Sequence, residues 1–137
     1  MKYPAAFILE DDGYTVAFRD IPEAISQGDT YEEAVEMAED ALLTAMDFYF
    51  EDNRPVPAPS QAQDGEVLIG LPLSASAKVM LLNALLEQHI SQAELAKRMG
   101  IRPQQVTRIV NLEHTTKIDT LEQAFKALGK SLDFTVA

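Results

Sequence analysis

Five side chains built to exchange hydrogen bonds lie within seven consecutive residues: Arg102, Gln104, Gln105, Thr107 and Arg108. Their chemistry suits the edges of DNA bases. A guanidinium can bridge the O6 and N7 of guanine, and a primary amide can bridge the N6 and N7 of adenine. Gln92 before this group and Asn111 after it are placed to meet backbone phosphates, and Lys117 adds a cation for the same purpose. Together these residues form the candidate DNA-binding set.

Carboxylates are the other abundant reactive group. Glu10, Asp11, Asp12, Asp20, Glu39 and Asp40 raise the question of a two-metal nuclease, which needs carboxylates around ions about 4 Å apart. Their spacing argues against it, because Asp11 and Asp12 belong to a turn while Glu39 and Asp40 share the polar side of a helix. His89 and His114 stand outside any metal-ligand spacing. Gly-rich phosphate loops and nucleophile elbows are missing. With no cysteine, disulfides and thiolate metal sites are excluded. No catalytic residue, metal or cofactor is expected, and the protein is not expected to be an enzyme.

Two short helices must position the DNA-binding set. Ser91 followed by Glu94 is a capping box that starts a helix at Gln92, and Ala93, Leu95, Ala96 and Met99 turn one apolar face to a core. Gly100 ends that helix. Ile101, Val106, Ile109 and Val110 resume the helical period around Pro103, which suits a first turn because its missing N–H has no partner there anyway. The result is a helix-turn-helix, whose second helix enters the major groove. A plainer reading is two helices of an ordinary bundle with idle polar residues. Cap, turn, apolar spacing and polar face all agree, and that agreement disfavours it. Gln92-Ala-Glu-Leu-Ala96 with Gly100 and a Gln-rich second helix resembles the phage-repressor and Cro class, over the chain from about Leu73 onward.

Upstream, the apolar run Tyr3 to Glu10 and the alternating run Tyr14 to Arg19 flank Asp11-Asp12-Gly13, which reads as a hairpin. A short extended piece over Ala24 to Gln27 follows. Thr30 and Glu33 form a second capping box, opening a long helix to about Phe50. Ala34, Val35, Ala38, Ala41, Leu42, Ala45, Met46 and Tyr49 line one face of it, with Glu32, Glu36, Glu39, Asp40 and Asp47 on the other. Prolines make 53–65 a loop, and Glu66 to Leu71 reads as a strand that returns to the hairpin.

Downstream, Ser74 or Ser76 can cap a helix apolar on nearly every face, which is expected to be buried in the bundle and to meet a second subunit. Asp119 and Glu122 start a last helix that Gly129 stops. Leu132, Phe134 and Val136 then alternate as a strand whose open edge a two-fold mate would close. The fold class is α+β. Residues 1–72 make a small antiparallel sheet packed on one long helix, and residues 73–137 make an all-α helix-turn-helix bundle with a terminal strand.

Charge divides along the same line. Of 137 residues carrying a net −11, residues 1–71 hold three Lys/Arg against sixteen Asp/Glu, a net of −13. Residues 72–137 hold eight against six, a net of +2. An acidic module repels phosphate and is suited to a basic protein surface, although a merely solvated acidic face has the same composition. The N-terminus is broken by Pro4 and acids before a signal-like run forms, and no segment has the length to cross a membrane. A soluble, cytoplasmic protein is expected.

Phe18-Arg-Asp-Ile-Pro-Glu-Ala-Ile-Ser-Gln-Gly-Asp-Thr-Tyr-Glu-Glu-Ala-Val-Glu-Met-Ala-Glu-Asp-Ala-Leu42 and Asp47-Phe-Tyr-Phe-Glu-Asp-Asn53, joined to the helix-turn-helix, resemble the HicB antitoxin family across nearly the whole chain. Relatives of that kind often carry Pro-Gly-Cys where this chain has Pro22-Glu23-Ala24. The resemblance implies a degenerate, partial RNase H-like domain that caps the active site of a small basic ribonuclease toxin of the HicA family. It also implies a DNA-binding domain that represses the operon, as a homodimer or homotetramer on operator double-stranded DNA. Charge alone places the toxin contact on Asp20, Glu23, Gln27, Asp29, Glu36 and Asp40. The competing reading is a ligand-responsive repressor without a toxin partner, although no convergent polar groups recommend a small-molecule site.

Overall fold

The computed structural model describes residues 1–137, which divide into two compact units. The first comprises Met1–Tyr49 with Val56–Leu73, and the second comprises Phe50–Pro55 with Ser74–Ala137. No helix is long and apolar enough to cross a membrane.

In the first unit, β1 (Lys2–Glu10) and β2 (Gly13–Phe18) form the expected hairpin, in a register running from Ala5 opposite Phe18 to Glu10 opposite Gly13. β3 (Ile25–Gly28) adds to β2. β4 (Glu66–Gly70) returns after the long helix to the free side of β1, giving an antiparallel sheet of order β3-β2-β1-β4. Alternation along the strands puts Tyr3, Ala5, Val16, Phe18 and Ile69 on one buried face and leaves Ile8, Ile25 and Leu68 exposed on the other.

The helix α1 (Tyr31–Asp52) covers the buried face with Ala34, Ala38, Leu42, Ala45, Met46 and Tyr49. Its first turn is fixed by three contacts. Thr30 Oγ1 accepts from the Glu33 N–H at 3.2 Å, as the capping box requires. The Tyr31 ring meets Phe7 and Tyr14, with centroids 5.2 and 5.8 Å apart. Gly28 lies so close beneath the helix that a Cβ there would stand 2.4 Å from the Ala34 nitrogen.

The proline-rich segment is a loop, but not a slack one. Val56 is buried, and the Tyr3 hydroxyl donates to the Pro57 carbonyl at 2.8 Å. Asp20 accepts from the Ser60 N–H at 2.8 Å and from the Ser60 hydroxyl. Arg19 binds both carboxylate oxygens of Glu66 and also donates to Ser60 Oγ and the Gln61 carbonyl. The Arg19 bonds hold the Glu66 carboxyl below its ordinary range and raise the guanidinium in return.

The second unit packs α2 (Leu73–Glu87), α3 (Gln92–Met99), α4 (Pro103–Ile109) and α5 (Ile118–Ala127) around one core. Leu81, Leu85, Leu95, Val106, Ile109, Leu121, Phe125 and Leu128 are among its members. Three expectations are corrected here. Helix α2 already begins at Leu73, so Ser74 and Ser76 lie inside it rather than capping it. Helix α5 is preceded by Lys117 at the N-cap, with Asp119 inside its first turn, where a carboxylate complements the helix dipole. The terminal strand is absent: residues after Gly129 adopt no ladder, and Phe134 and Val136 are 80% and 86% exposed. A strand needs a neighbour for its backbone bonds, and a single chain supplies none there. Helix α2 is buried largely by its own chain, which leaves only Leu73 and Met80 of its large apolar residues exposed. Its apolarity therefore does not require a second subunit.

Replacing Gly28 by Ala should overpack the start of α1 and destabilise the first unit by about 1–3 kcal/mol, readable as a lower denaturant midpoint. Burial, reinforced by Asp20, pushes the Tyr3 hydroxyl up from 10.0 to about 12. Because the folded state favours the protonated phenol, the stability it contributes is intact below pH 10.0 and is lost as pH rises through about 12. An ultraviolet titration should show one of the four tyrosines ionising late, and Tyr3→Phe should remove that step.

Candidate nucleic-acid interface

Helix α3 is closed at both ends by its own sequence. Ser91 Oγ accepts from the Glu94 N–H at 3.0 Å, and Gly100 takes the left-handed conformation with φ 68°. The Gly100 N–H donates to the Lys97 carbonyl and the Ile101 N–H to Ala96, the paired bonds of a glycine-terminated helix. Arg98 spans back to Glu94 at 3.2 Å on the outer surface.

Three residues after Gly100, α4 begins at Pro103. Its start is held by Gln105, whose Oε1 accepts from the Arg102 N–H at 3.0 Å. Val106 and Ile109 enter the core, and Arg102, Gln104, Gln105, Thr107 and Arg108 remain exposed. The polar face is therefore presented as a group, but its members differ in freedom. Gln105 is engaged by its capping bond, and the Thr107 hydroxyl donates to the Pro103 carbonyl at 3.2 Å. No hydrogen bond within the protein competes for the side chains of Gln104 and Arg108 among those described. The Gln105 role was legible as an amide three residues after the N-cap of a proline-led helix.

Arg108, Gln105 and Lys117 line one cleft of about 350 Å³ between α4, the following loop and α5, together with His114, Thr116 and Thr120. Asn111 is exposed just beyond α4, its Oδ1 accepting from the Glu113 N–H at 2.9 Å. Gln92 is exposed at the first turn of α3. Lys78 of α2 was missed by sequence reasoning. It is buried, its Nζ donates to the carbonyls of Arg108, Asn111 and His114, and desolvation lowers its pKa. A lone lysine in the apolar run from Ala75 to Leu86 was the available signal.

The six candidate toxin-contact residues of the first unit fall in three places. Asp20 is spent on Ser60 and Arg19, and Glu23 accepts from the Tyr49 hydroxyl at 2.6 Å. Gln27 and Asp29 line a cleft of about 330 Å³ with Glu10, Asp12 and Glu33. Glu36 and Asp40 line another with Glu39 and Pro72. No group of three or more His, Cys, Asp or Glu is arranged to hold a metal ion.

Residues 2–80 match the family of HicB-like antitoxins of bacterial toxin-antitoxin systems, and residues 81–134 match a helix-turn-helix family. The chain is 53% identical over 133 residues to "Antitoxin HicB 2" of Photorhabdus laumondii, covering 97% of this chain and 94% of the relative. It is 53% identical over 133 residues to "Antitoxin HicB" of Escherichia coli, covering 96% of both. Against "Antitoxin HicB" of Pseudomonas fluorescens it is 41% identical, covering 82% of this chain and 78% of the relative.

Proposed function

The chain belongs to the HicB-like antitoxin family and carries a helix-turn-helix domain, and we propose that it neutralises a HicA-type mRNA-interferase toxin while repressing its own operon. The observation that carries this reading is the joining of two opposed surfaces in one chain. Residues 1–71 have a net charge of −13, and the second unit presents the uncovered polar face of α4. A toxin that grips RNA must present Lys and Arg, so an acidic unit is complementary to it and associates fast. Bound there, the first unit, read as a partial RNase H-like domain, blocks the toxin's active site by occlusion rather than chemistry.

Within the toxin-contact set, the side chains with free capacity carry the contact. Gln27, Asp29, Glu36 and Asp40 line open clefts, whereas Asp20 and Glu23 already serve the fold. Ligand sensing is not favoured, since the cleft under the start of α1 sets four carboxylates, Glu10, Asp12, Asp29 and Glu33, against only Tyr14 and Met37 as large apolar side chains, where a small-molecule site is mostly apolar.

In the second unit, Gln104 and Arg108 read bases from α4, and Gln92, Asn111 and Lys117 meet phosphates; Arg102, Gln105 and Thr107 complete the face. Reading a two-fold operator calls for two copies with half-sites about 34–36 Å apart. Two copies, as a homodimer or as the dimers of a homotetramer, present the reading helix twice.

Expression with the neighbouring reading frame should yield a stable complex with a basic protein of under about 100 residues, as such small toxins must bare their cationic surface. Failure of any basic partner to co-purify, with RNA cleavage by the neighbour unaffected, rejects the antitoxin reading. Arg108→Ala or Gln104→Ala should cost about 1–3 kcal/mol on operator DNA and relax base preference, whereas Lys117→Ala should weaken all sequences alike. Equal loss on operator and random duplex from Arg108→Ala would remove its reading role.

A further inference from the structure

Helix α2 is apolar along most of its length, yet Lys78 stands in it with 1% of its surface exposed. A cationic group taken from water is costly unless its hydrogens find acceptors. Here the acceptors are all backbone carbonyls: Arg108 at 3.4 Å, Asn111 at 2.6 Å, and His114. An ammonium has three hydrogens to give, so its capacity is matched.

The three carbonyls are not scattered. They run from the last turn of α4 into the loop that leads to Lys117 at the start of α5. The carbonyls of Arg108 and Asn111 also accept the N–H groups of Asn111 and His114, which makes them the backbone of two successive turns. The end of α4 carries the negative end of its dipole, so a buried cation there holds these turns by both charge and hydrogen bonds. The residues whose backbone is held carry Arg108 and Asn111 as exposed side chains. Lys78 lies outside residues 81–134, the span that matches the helix-turn-helix family.

We propose that Lys78 is a positioning residue for DNA reading: it pins the end of α4 and the loop to α5 so that Arg108, Asn111 and Lys117 reach the duplex in one fixed arrangement. This rests on the DNA-binding reading above. A base contact tolerates little displacement, so loosening this backbone should harm discrimination between sequences more than it harms phosphate attraction.

The test uses the full-length protein and a duplex that the wild type selects from a random pool, measured against an unselected duplex. Lys78→Met, folded by circular dichroism, should lose at least about tenfold in the ratio of the two affinities, the equivalent of one well-made base contact. Leu121→Val, which weakens the same core without touching the ammonium, should keep that ratio. Because the chain has no cysteine, Lys78→Cys can be alkylated alone while unfolded. Refolding with an aminoethyl group, which rebuilds an ammonium at nearly the same reach, should restore discrimination, and a propyl group should not.

An unchanged ratio in Lys78→Met, an equal loss in Leu121→Val, or rescue by the propyl group overturns the proposal. If no Lys78 variant folds, the wild type still decides by nuclear magnetic resonance. A slowly exchanging Lys78 ammonium coupled to the three carbonyls supports the assignment, and a rapidly exchanging one overturns it. Selection of no sequence by the wild type would sink the DNA-binding reading and this proposal with it. Selection that depends on Arg108 but not on Lys78 would sink this proposal alone.

Discussion

Helices of eight and seven residues, α3 and α4, are too short to persist unaided, since isolated helices below about 12–15 residues are marginal in water. Everything in the second unit answers that constraint. Ser91 and Gly100 close α3, Gln105 secures the start of α4, and Lys78 secures its end. Leu95, Ala96, Val106 and Ile109 then give both helices a common core with α2 and α5. The exposed polar face of α4 owes its shape to residues that are not on it.

The first unit solves a different problem, that of folding with an excess of carboxylates: residues 1–71, of which Phe50–Pro55 cluster with the second unit, hold sixteen against three cations. Small residues at Gly28, Ala34, Ala38 and Ala45 let sheet and helix approach closely and bury apolar surface without using any charge. Of the cations, Arg19 is drawn into the network with Glu66, Asp20 and Ser60 that ties down the proline-rich loop. Arg54 meets Asp52. Little positive charge is left to neutralise the remaining acids, so the surface stays strongly negative, as an electrostatically steered encounter with a basic partner requires.

Much of this was legible in the order of residues because it is governed by local rules. Hairpin, capping boxes, the left-handed glycine and the buried faces of α1, α3, α4 and α5 follow from short-range chemistry. What escaped depends on contacts distant in sequence. Lys78 reads as an interruption in an apolar helix until the carbonyls 30 to 36 residues away come into view. Asp20 and Glu23 look like free surface acids, yet Ser60 and Tyr49 occupy them. The tail of Leu132, Phe134 and Val136 shows the converse, an alternating pattern that specifies a strand only if a second edge is supplied.

The chain crosses between its two units three times, at Tyr49/Phe50, Pro55/Val56 and Leu73/Ser74. A single scission therefore releases neither of them whole. A fragment beginning at Ser74 leaves behind the final turn of α1 and Asn53–Pro55, and one ending at Leu73 carries those six residues away from the unit they cluster with. Moving the helix-turn-helix unit whole onto another antitoxin, in the laboratory or by recombination during evolution, takes two junctions more than a simple fusion provides.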